Sequence, residues 1–203
     1  RFASTDLRVM NSRASTGVRG IRLNGDDMVV SMSVIRHFEA TPEERAAYLK
    51  MRRAMVGLTD EDAGEEDAPA DPNFSQERYE EMAAVENLIL TITRGGSGKL
   101  SSSHDYPVRG RGGMGVAAMD KAMRGGPVVA SFPVELVDQI MLVTSTGQSI
   151  RCPINGISFR SRNAGGVRVF NTSRDEQVVS VAYIPDQGDD EEAPEQPASE
   201  SHS

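Results

Sequence analysis

The sequence predicts an all-β, propeller-like array of about three four-stranded blades, interrupted by a small helical insertion and followed by a disordered acidic tail. Three observations carry this. The pattern Arg-x-x-x-Gly-Val occurs at 13–18, 111–116 and 162–167, and a Val-Val pair follows each glycine by 12 or 13 residues, at Val29-Val30, Val128-Val129 and Val178-Val179. Gly115 and Gly166 are 51 residues apart, but Gly17 and Gly115 are 98 apart, an excess of 47. That excess falls within 36–86, where the composition also changes, so spacing and charge mark one insertion.

In the first unit, Val18 to Leu23 and Met28 to Ile35 are β-rich runs joined by Asn24-Gly25-Asp26-Asp27, and Asn-Gly between such runs predicts a hairpin. Within the insertion, Thr41-Pro42-Glu43-Glu44 is a capping box with Pro at the first helical position. A helix is therefore expected from Glu43 to Val56, ended by Gly57. Residues 59–73, with seven acids, three alanines and two prolines, predict a disordered loop. A second short helix, about Gln76 to Val85, leads back to the sheet. The insertion reads as a solvated decoration of a blade edge or, alternatively, as a site for a specific partner.

The apolar runs at 88–93 and 140–145 each lead into a Gly-containing turn. In the third unit Thr146-Gly147-Gln148 joins strands at 140–145 and 149–154, with further strands near 166–171 and 178–184. The blades thus span about 1–35, 87–135 and 138–185, with the insertion at 36–86. From Asp186 onward, acids mix with Pro, Ser and Gln and no apolar residue is larger than Ala, so 186–203 is expected to stay unfolded. Three blades fall short of the usual ring of about four to eight. Further blades are expected before Arg1, whose place as first residue reads as a segment of a longer polypeptide.

The net charge of −8 at first argues against nucleic acid, because phosphate neutralisation needs Lys and Arg. Its distribution reverses that. Residues 36–86 carry 6 basic and 14 acidic side chains, and the tail carries 7 acids and no Lys or Arg. The remainder holds 16 basic and 9 acidic residues, net +7. Cys152 is the only cysteine, which excludes an intrachain disulfide and suits a reducing cytoplasm. His37, His104 and His202 match no metal-ligand spacing, and no run of 18 apolar residues offers a membrane span.

Gly110-Arg111-Gly112-Gly113-Met114-Gly115 satisfies the dinucleotide fingerprint in form only. Pro107 precedes it and Gly125-Gly126-Pro127 follows before a convincing helix can develop, while the equivalent loops at 13–17 and 162–166 lack the pattern. Gly17, Gly115 and Gly166 are better explained as positive-φ residues of a sharp turn into a strand. Around these loops stand the candidate DNA-binding cations: Arg8, Arg13, Arg19 and Arg22 in the first unit, Lys99, Arg109 and Arg111 in the second, and Arg151, Arg160, Arg162 and Arg168 in the third. For Arg13, Arg111 and Arg162, which recur at one register, bonding to blade carbonyls competes with DNA contact. Tyrosines form no stacking series, so duplex backbone is the expected target rather than single strands. There is no Cys-His pair, no Gly-x-Ser-x-Gly and no acid pair on a folded element, so the segment is expected to be non-catalytic.

Three stretches resemble the C-terminal β-pinwheel of the DNA gyrase A protein: Ser12 to Ile21, Tyr106 to Val116, and Ile157 to Val169. The resemblance covers 1–35 and 87–184. It implies a partial β-pinwheel whose basic rim wraps duplex DNA and supports ATP-dependent negative supercoiling by a chromosome-associated type IIA topoisomerase. It also implies the gyrase B protein as partner in an A2B2 holoenzyme, with ATP and Mg bound elsewhere and no cofactor in this segment. The family's Gln-Arg-Arg-Gly-Gly-Lys-Gly box has only a degenerate counterpart, Arg111-Gly112-Gly113-Met114-Gly115, with Met where the box has Lys. The regular repeats favour gyrase over the related C-terminal domain of topoisomerase IV. A protein-interaction propeller is the alternative from another class, and deletion of 36–86 is expected to abolish its partner capture but spare DNA wrapping.

Overall fold

The computed structural model describes residues 1–59, 68–120, 125–173 and 175–186. The acidic tail beyond Asp186 and most of the predicted acidic loop lie outside these residues. The fold is mostly β, as expected, and its elements follow from local chemistry. Strand β1 (Leu88–Thr93) turns through Arg94-Gly95-Gly96 into β2 (Ser97–Ser102), with Gly96 at φ 78°. They pair antiparallel from Leu88↔Ser102 to Ile92↔Gly98. Strand β3 (Val128–Val134) runs antiparallel along the other side of β1, with a register shift at Ile92/Thr93. All of β1 is buried, its two threonines included: Thr91 Oγ1 lies 3.3 Å from Ser131 Oγ and Thr93 Oγ1 donates to Ser97 O at 3.1 Å.

The second sheet is smaller. Strand β4 (Gln139–Thr144) turns at Gly147, φ 84°, into β5 (Ser149–Pro153). Strand β7 (Val178–Ile184) pairs antiparallel with β4 from Gln139↔Ile184 to Thr144↔Val178. The end of β7 is fastened by Asp138, whose carboxylate accepts from Tyr183 Oη at 2.7 Å and Asp186 N at 3.0 Å. One core joins the sheets: Leu90, Ile92 and Leu100 from the first pack with Ile140, Leu142 and Val178 from the second, and with Ile154 between them.

Two expectations about strands need correction. The run near 166–171 yields a two-residue strand, β6 (Val167–Arg168), and it does not join its own unit. It pairs with β2 at Ser97↔Arg168 and Gly98↔Val167, giving orders β3-β1-β2-β6 and β5-β4-β7. The third unit therefore has three strands, having lent its short one to its neighbour. In the first unit the Asn24–Asp27 turn forms, closed by Asp27 N to Asn24 O at 3.0 Å, but neither flanking run is a strand. The cause is pairing. β3 and β7 each ladder onto the first strand of their unit, and among the described residues nothing equivalent stands beside 28–35.

The insertion folds as two helices, α1 (Pro42–Met55) and α2 (Gln76–Ala84). The capping box forms: Thr41 Oγ1 accepts from Glu44 N at 3.2 Å, and Glu44 Oε2 accepts from Thr41 N at 2.8 Å. Tyr48 and Tyr79 stack at 4.9 Å and, with Leu49 and Met82, form a second small core. The body is not a solvated decoration. Its Tyr48 and Phe38 rings meet His104 edge-on at 4.9 and 6.3 Å, and Arg52 lies 4.9 Å over the Phe159 ring of the third unit. Removing 36–86 would uncover these groups, so the deletion tests folding as well as partner capture.

His104 makes this docking pH-sensitive. Its Nε2 lies 2.9 Å from Met82 O, a pure acceptor, so Nε2 carries the proton and the neutral ring satisfies the contact. Burial pushes its pKa below the usual value of 6.5, with Arg1 and Arg45 adding to that and the Met82 carbonyl and Glu86 opposing it. Below about pH 6.5 the unfolded chain takes up a proton that the folded ring resists, so this contribution to stability is full above that value and fades as pH falls toward the folded one. The melting temperature of the native chain should therefore drop more between pH 7 and 5 than that of His104→Gln. Parallel curves for the two proteins would refute the assignment.

Candidate nucleic-acid interface

The cations can be sorted by what their heads touch. Arg162 precedes β6 and is 8% exposed. Its Nε donates to Asp105 O at 2.9 Å and its Nη1 to Ala117 O at 2.5 Å, while its main-chain N–H donates to Asp105 Oδ2 at 2.5 Å. Lys99 on β2 is fully buried. Its Nζ donates to the carbonyls of Ser161, Arg162 and Ala164 at 2.7, 2.5 and 2.7 Å. An ammonium has three N–H donors and no acceptor, so this cage uses all of it. Burial pushes the Lys99 pKa down to about 7, with Asp105 and Asp120 opposing and Arg162 reinforcing the fall. Burial likewise raises that of Asp105, against the pull of Arg162 and Lys99. Lys99 and Arg162 therefore leave the DNA-binding set: they fasten the second unit to the third.

The joint between the first and second units repeats these contacts. Arg111 Nε donates to Asp6 O at 3.2 Å and Nη1 to Arg19 O at 2.6 Å. Asp6 and Asp105 each end a short 3₁₀ turn, Ser4–Asp6 and Ser103–Asp105, and Arg19 and Ala117 each stand two residues past the repeat glycine. The backbone agrees. Arg109 N donates to Arg1 O at 3.0 Å where Arg160 N donates to Leu100 O at 2.8 Å, and Arg22 N donates to Gly113 O at 2.9 Å where Asp120 N donates to Ala164 O at 3.4 Å. The register arginine is thus a clamp onto the preceding unit, the alternative that the sequence left open. A third 3₁₀ turn, Ile154–Gly156, occupies the same place in the third unit. Sequence reasoning missed these turns, although Ser4-Thr5-Asp6 and Ser103-His104-Asp105 share the Ser-x-Asp pattern ahead of the register arginine.

The glycines divide as well. Gly115 has the expected positive φ, 79°, whereas Gly17 and Gly166 do not. Gly166 is required for another reason: a Cβ there would sit 3.0 Å from the backbone N and O of Gly98, where β6 meets β2.

Arg8, Arg13, Arg19, Arg22, Arg109, Arg151 and Arg168 are exposed, and Arg160 is half-buried. Two registers recur among them. Arg19 and Arg168 both stand two residues after the repeat glycine, and Arg109 and Arg160 both stand two residues before the clamp arginine. Because Arg19 supplies the carbonyl that Arg111 grips, and Arg109 lies two residues from Arg111, these cations are carried by the joints themselves. Arg151 projects from β5 opposite Met141. The joints thus hold guanidinium groups on rigid backbone, and the insertion docks beside one of them, on the 103–105 turn that the Arg162 clamp grips and on Phe159 next to Arg160. Among the described residues no helix is long and apolar enough to cross a membrane.

A family model described as DNA gyrase C-terminal domain, beta-propeller, matches residues 1–36, 87–133 and 138–185. The DNA gyrase A protein of Granulibacter bethesdensis is 42% identical over 210 residues, covering 94% of this chain and 22% of that relative. The protein of the same name from Rickettsia bellii is 40% identical over 195 residues, covering 95% of this chain and 21% of the relative. Among solved structures, a DNA gyrase A C-terminal domain aligns at TM-score 0.46 and 24% identity over 49% of this chain and 34% of its own. The chain spans about a fifth of the length of these curated relatives.

Proposed function

This chain belongs to the DNA gyrase C-terminal domain family, and from that premise we propose that it is a DNA-wrapping segment of a gyrase A protein, non-catalytic in itself, serving a chromosome-associated topoisomerase in the cytoplasm. The observation that carries the proposal is the recurrence of arginines at fixed registers of the repeat: exposed Arg19 and Arg168 in the first and third units, with Ala117 at that register in the second, and exposed Arg109 and half-buried Arg160 in the second and third. A duplex carries phosphates at regular intervals, and cations repeated on a rigid frame contact them without reading bases. The guanidinium groups bind phosphate; the clamps keep the frame from yielding as the duplex bends. Bending 20–30 base pairs by 40–90° costs on the order of 1–6 kcal/mol, which several phosphate contacts offset. The gyrase B protein, and the ATP and Mg sites of the assembled enzyme, belong to the same proposal.

If about six phosphates are contacted, log affinity for duplex DNA against log salt has a slope near −5. Arg19→Ala and Arg168→Ala should each reduce that slope by about 1 across unrelated sequences while leaving the melting temperature in place. A salt-independent affinity, or a loss confined to particular sequences, would overturn the reading.

A further inference from the structure

The two joints of this chain share one donor and two acceptors. The donor is the first residue of the Arg-x-x-x-Gly-Val pattern. The acceptors are the carbonyl ending the 3₁₀ turn of the preceding unit and the carbonyl two residues past that unit's repeat glycine. Arg13 occupies the donor position in the first unit, in the same pattern and on a loop of the same length, yet its side chain is exposed. We propose that Arg13 is the donor of a third clamp of this kind, and that its partner is another unit of this same repeat, gripped through the two equivalent backbone carbonyls.

A second observation concerns the sheet of the first unit itself. Residues 28–35 stand where β3 and β7 stand in the later units, and both of those strands ladder onto the first strand of their own unit. Here Met28, Met32 and Val34 are 83, 86 and 88% exposed. Apolar side chains bared along one strand-length segment fit a first strand of the same unit, as β1 pairs with β3 and β4 with β7, so the array that Arg13 would clamp extends through this unit's own sheet. The clamp also explains why arginine recurs at this register. A guanidinium spans two carbonyls with fixed, diverging N–H groups, and a single ammonium on a flexible stem does not reproduce that geometry. Arg13 is therefore assigned to assembly of the array, apart from the phosphate-binding cations.

The proposal uses the family reading only to supply a longer chain for its test. Arg13→Ala and Arg13→Lys are compared with Arg111→Ala, first in the 203-residue chain and then in a polypeptide of the relatives' full length carrying this segment, by melting temperature and by the salt slope of DNA affinity. In the short chain, Arg111→Ala lowers the melting temperature and Arg13→Ala does not. In the long chain, both Arg13 variants lower the melting temperature of the domain by about as much as Arg111→Ala and leave the salt slope unchanged. A slope reduced by about 1 at unchanged melting temperature would make Arg13 a phosphate contact and overturn the proposal. So would a long chain indifferent to both substitutions, or a short chain destabilised by Arg13→Ala. If the long chain binds no DNA at all, the wrapping proposal fails while the melting data still decide the clamp.

Discussion

Lys99→Met lowers the stability of the chain by about 1–3 kcal/mol, read as a shift of the urea midpoint at constant m-value. At pH 6, below the value of about 7 to which burial pushes this group, Lys99 is an ammonium and its three N–H groups match three carbonyls at 2.5–2.7 Å. Methionine fills similar space and removes the cost of burying a charge, which by itself is stabilising. What it cannot remove are the acceptors. The carbonyls of Ser161, Arg162 and Ala164 are main chain, fixed by the loop that leads into β6, and each buried acceptor left without a donor costs about 1–3 kcal/mol. Ser161 O keeps the Ala164 N–H at 3.1 Å and Ala164 O keeps the Asp120 N–H at 3.4 Å, so among the described residues it is the Arg162 carbonyl that is stripped of its donor, and this loss together with two charge-assisted bonds outweighs the desolvation relieved. Arg151→Met on the exposed face of β5 is the control and should stay within about 0.5 kcal/mol of the native chain. A Lys99→Met protein as stable as the native one would show that the loop relaxes or admits water.

What was legible in the sequence is what local chemistry decides. The capping box at Thr41–Glu44, the apolar run from Leu88 to Thr93 and the Gly147 turn each settle their own conformation, and each appears as expected. The membership of β6 is different in kind. Two residues carry no periodicity, and their partner β2 is chosen by how units stack, so nothing near Val167 announces it. Lys99 misleads for a related reason. Within Ser97-Gly98-Lys99-Leu100 it looks like the solvent-facing member of an alternating strand, and only carbonyls from 161–164 make it an inward one. The insertion's fit against His104 and Phe159 also depends on surfaces distant in sequence. Composition could find the basic units once the acidic segments were set aside. Dividing their arginines into clamps and phosphate contacts required knowing which heads turn back to the chain.

That division is tested most severely at the clamps, because the same two bonds occur in different surroundings. Arg162→Ala should cost about 3–5 kcal/mol, and Arg111→Ala only about 1 kcal/mol. Arg162 is buried, and its Nε stands 3.7 Å from Asp105 Oδ1 in addition to its carbonyl bonds. Losing it leaves Asp105, a carboxylate whose pKa burial already raises, with the main-chain N–H at 162 but without its guanidinium. Arg111 donates to the equivalent carbonyls from a half-exposed position beside Asp6, which is itself exposed, so water replaces much of what alanine removes. The two penalties should also differ with pH. Without its guanidinium partner, Asp105 is pushed further up and becomes protonated in the folded variant at a pH where the unfolded chain still holds it ionised. The folded state then binds the extra proton, so the Arg162→Ala penalty shrinks as the solution is acidified from pH 7 toward 5. The Arg111→Ala penalty stays level over the same range, since no buried carboxylate loses its partner. Equal penalties with parallel pH profiles would mean that burial does not distinguish the joints, and that the carbonyl bonds alone hold them.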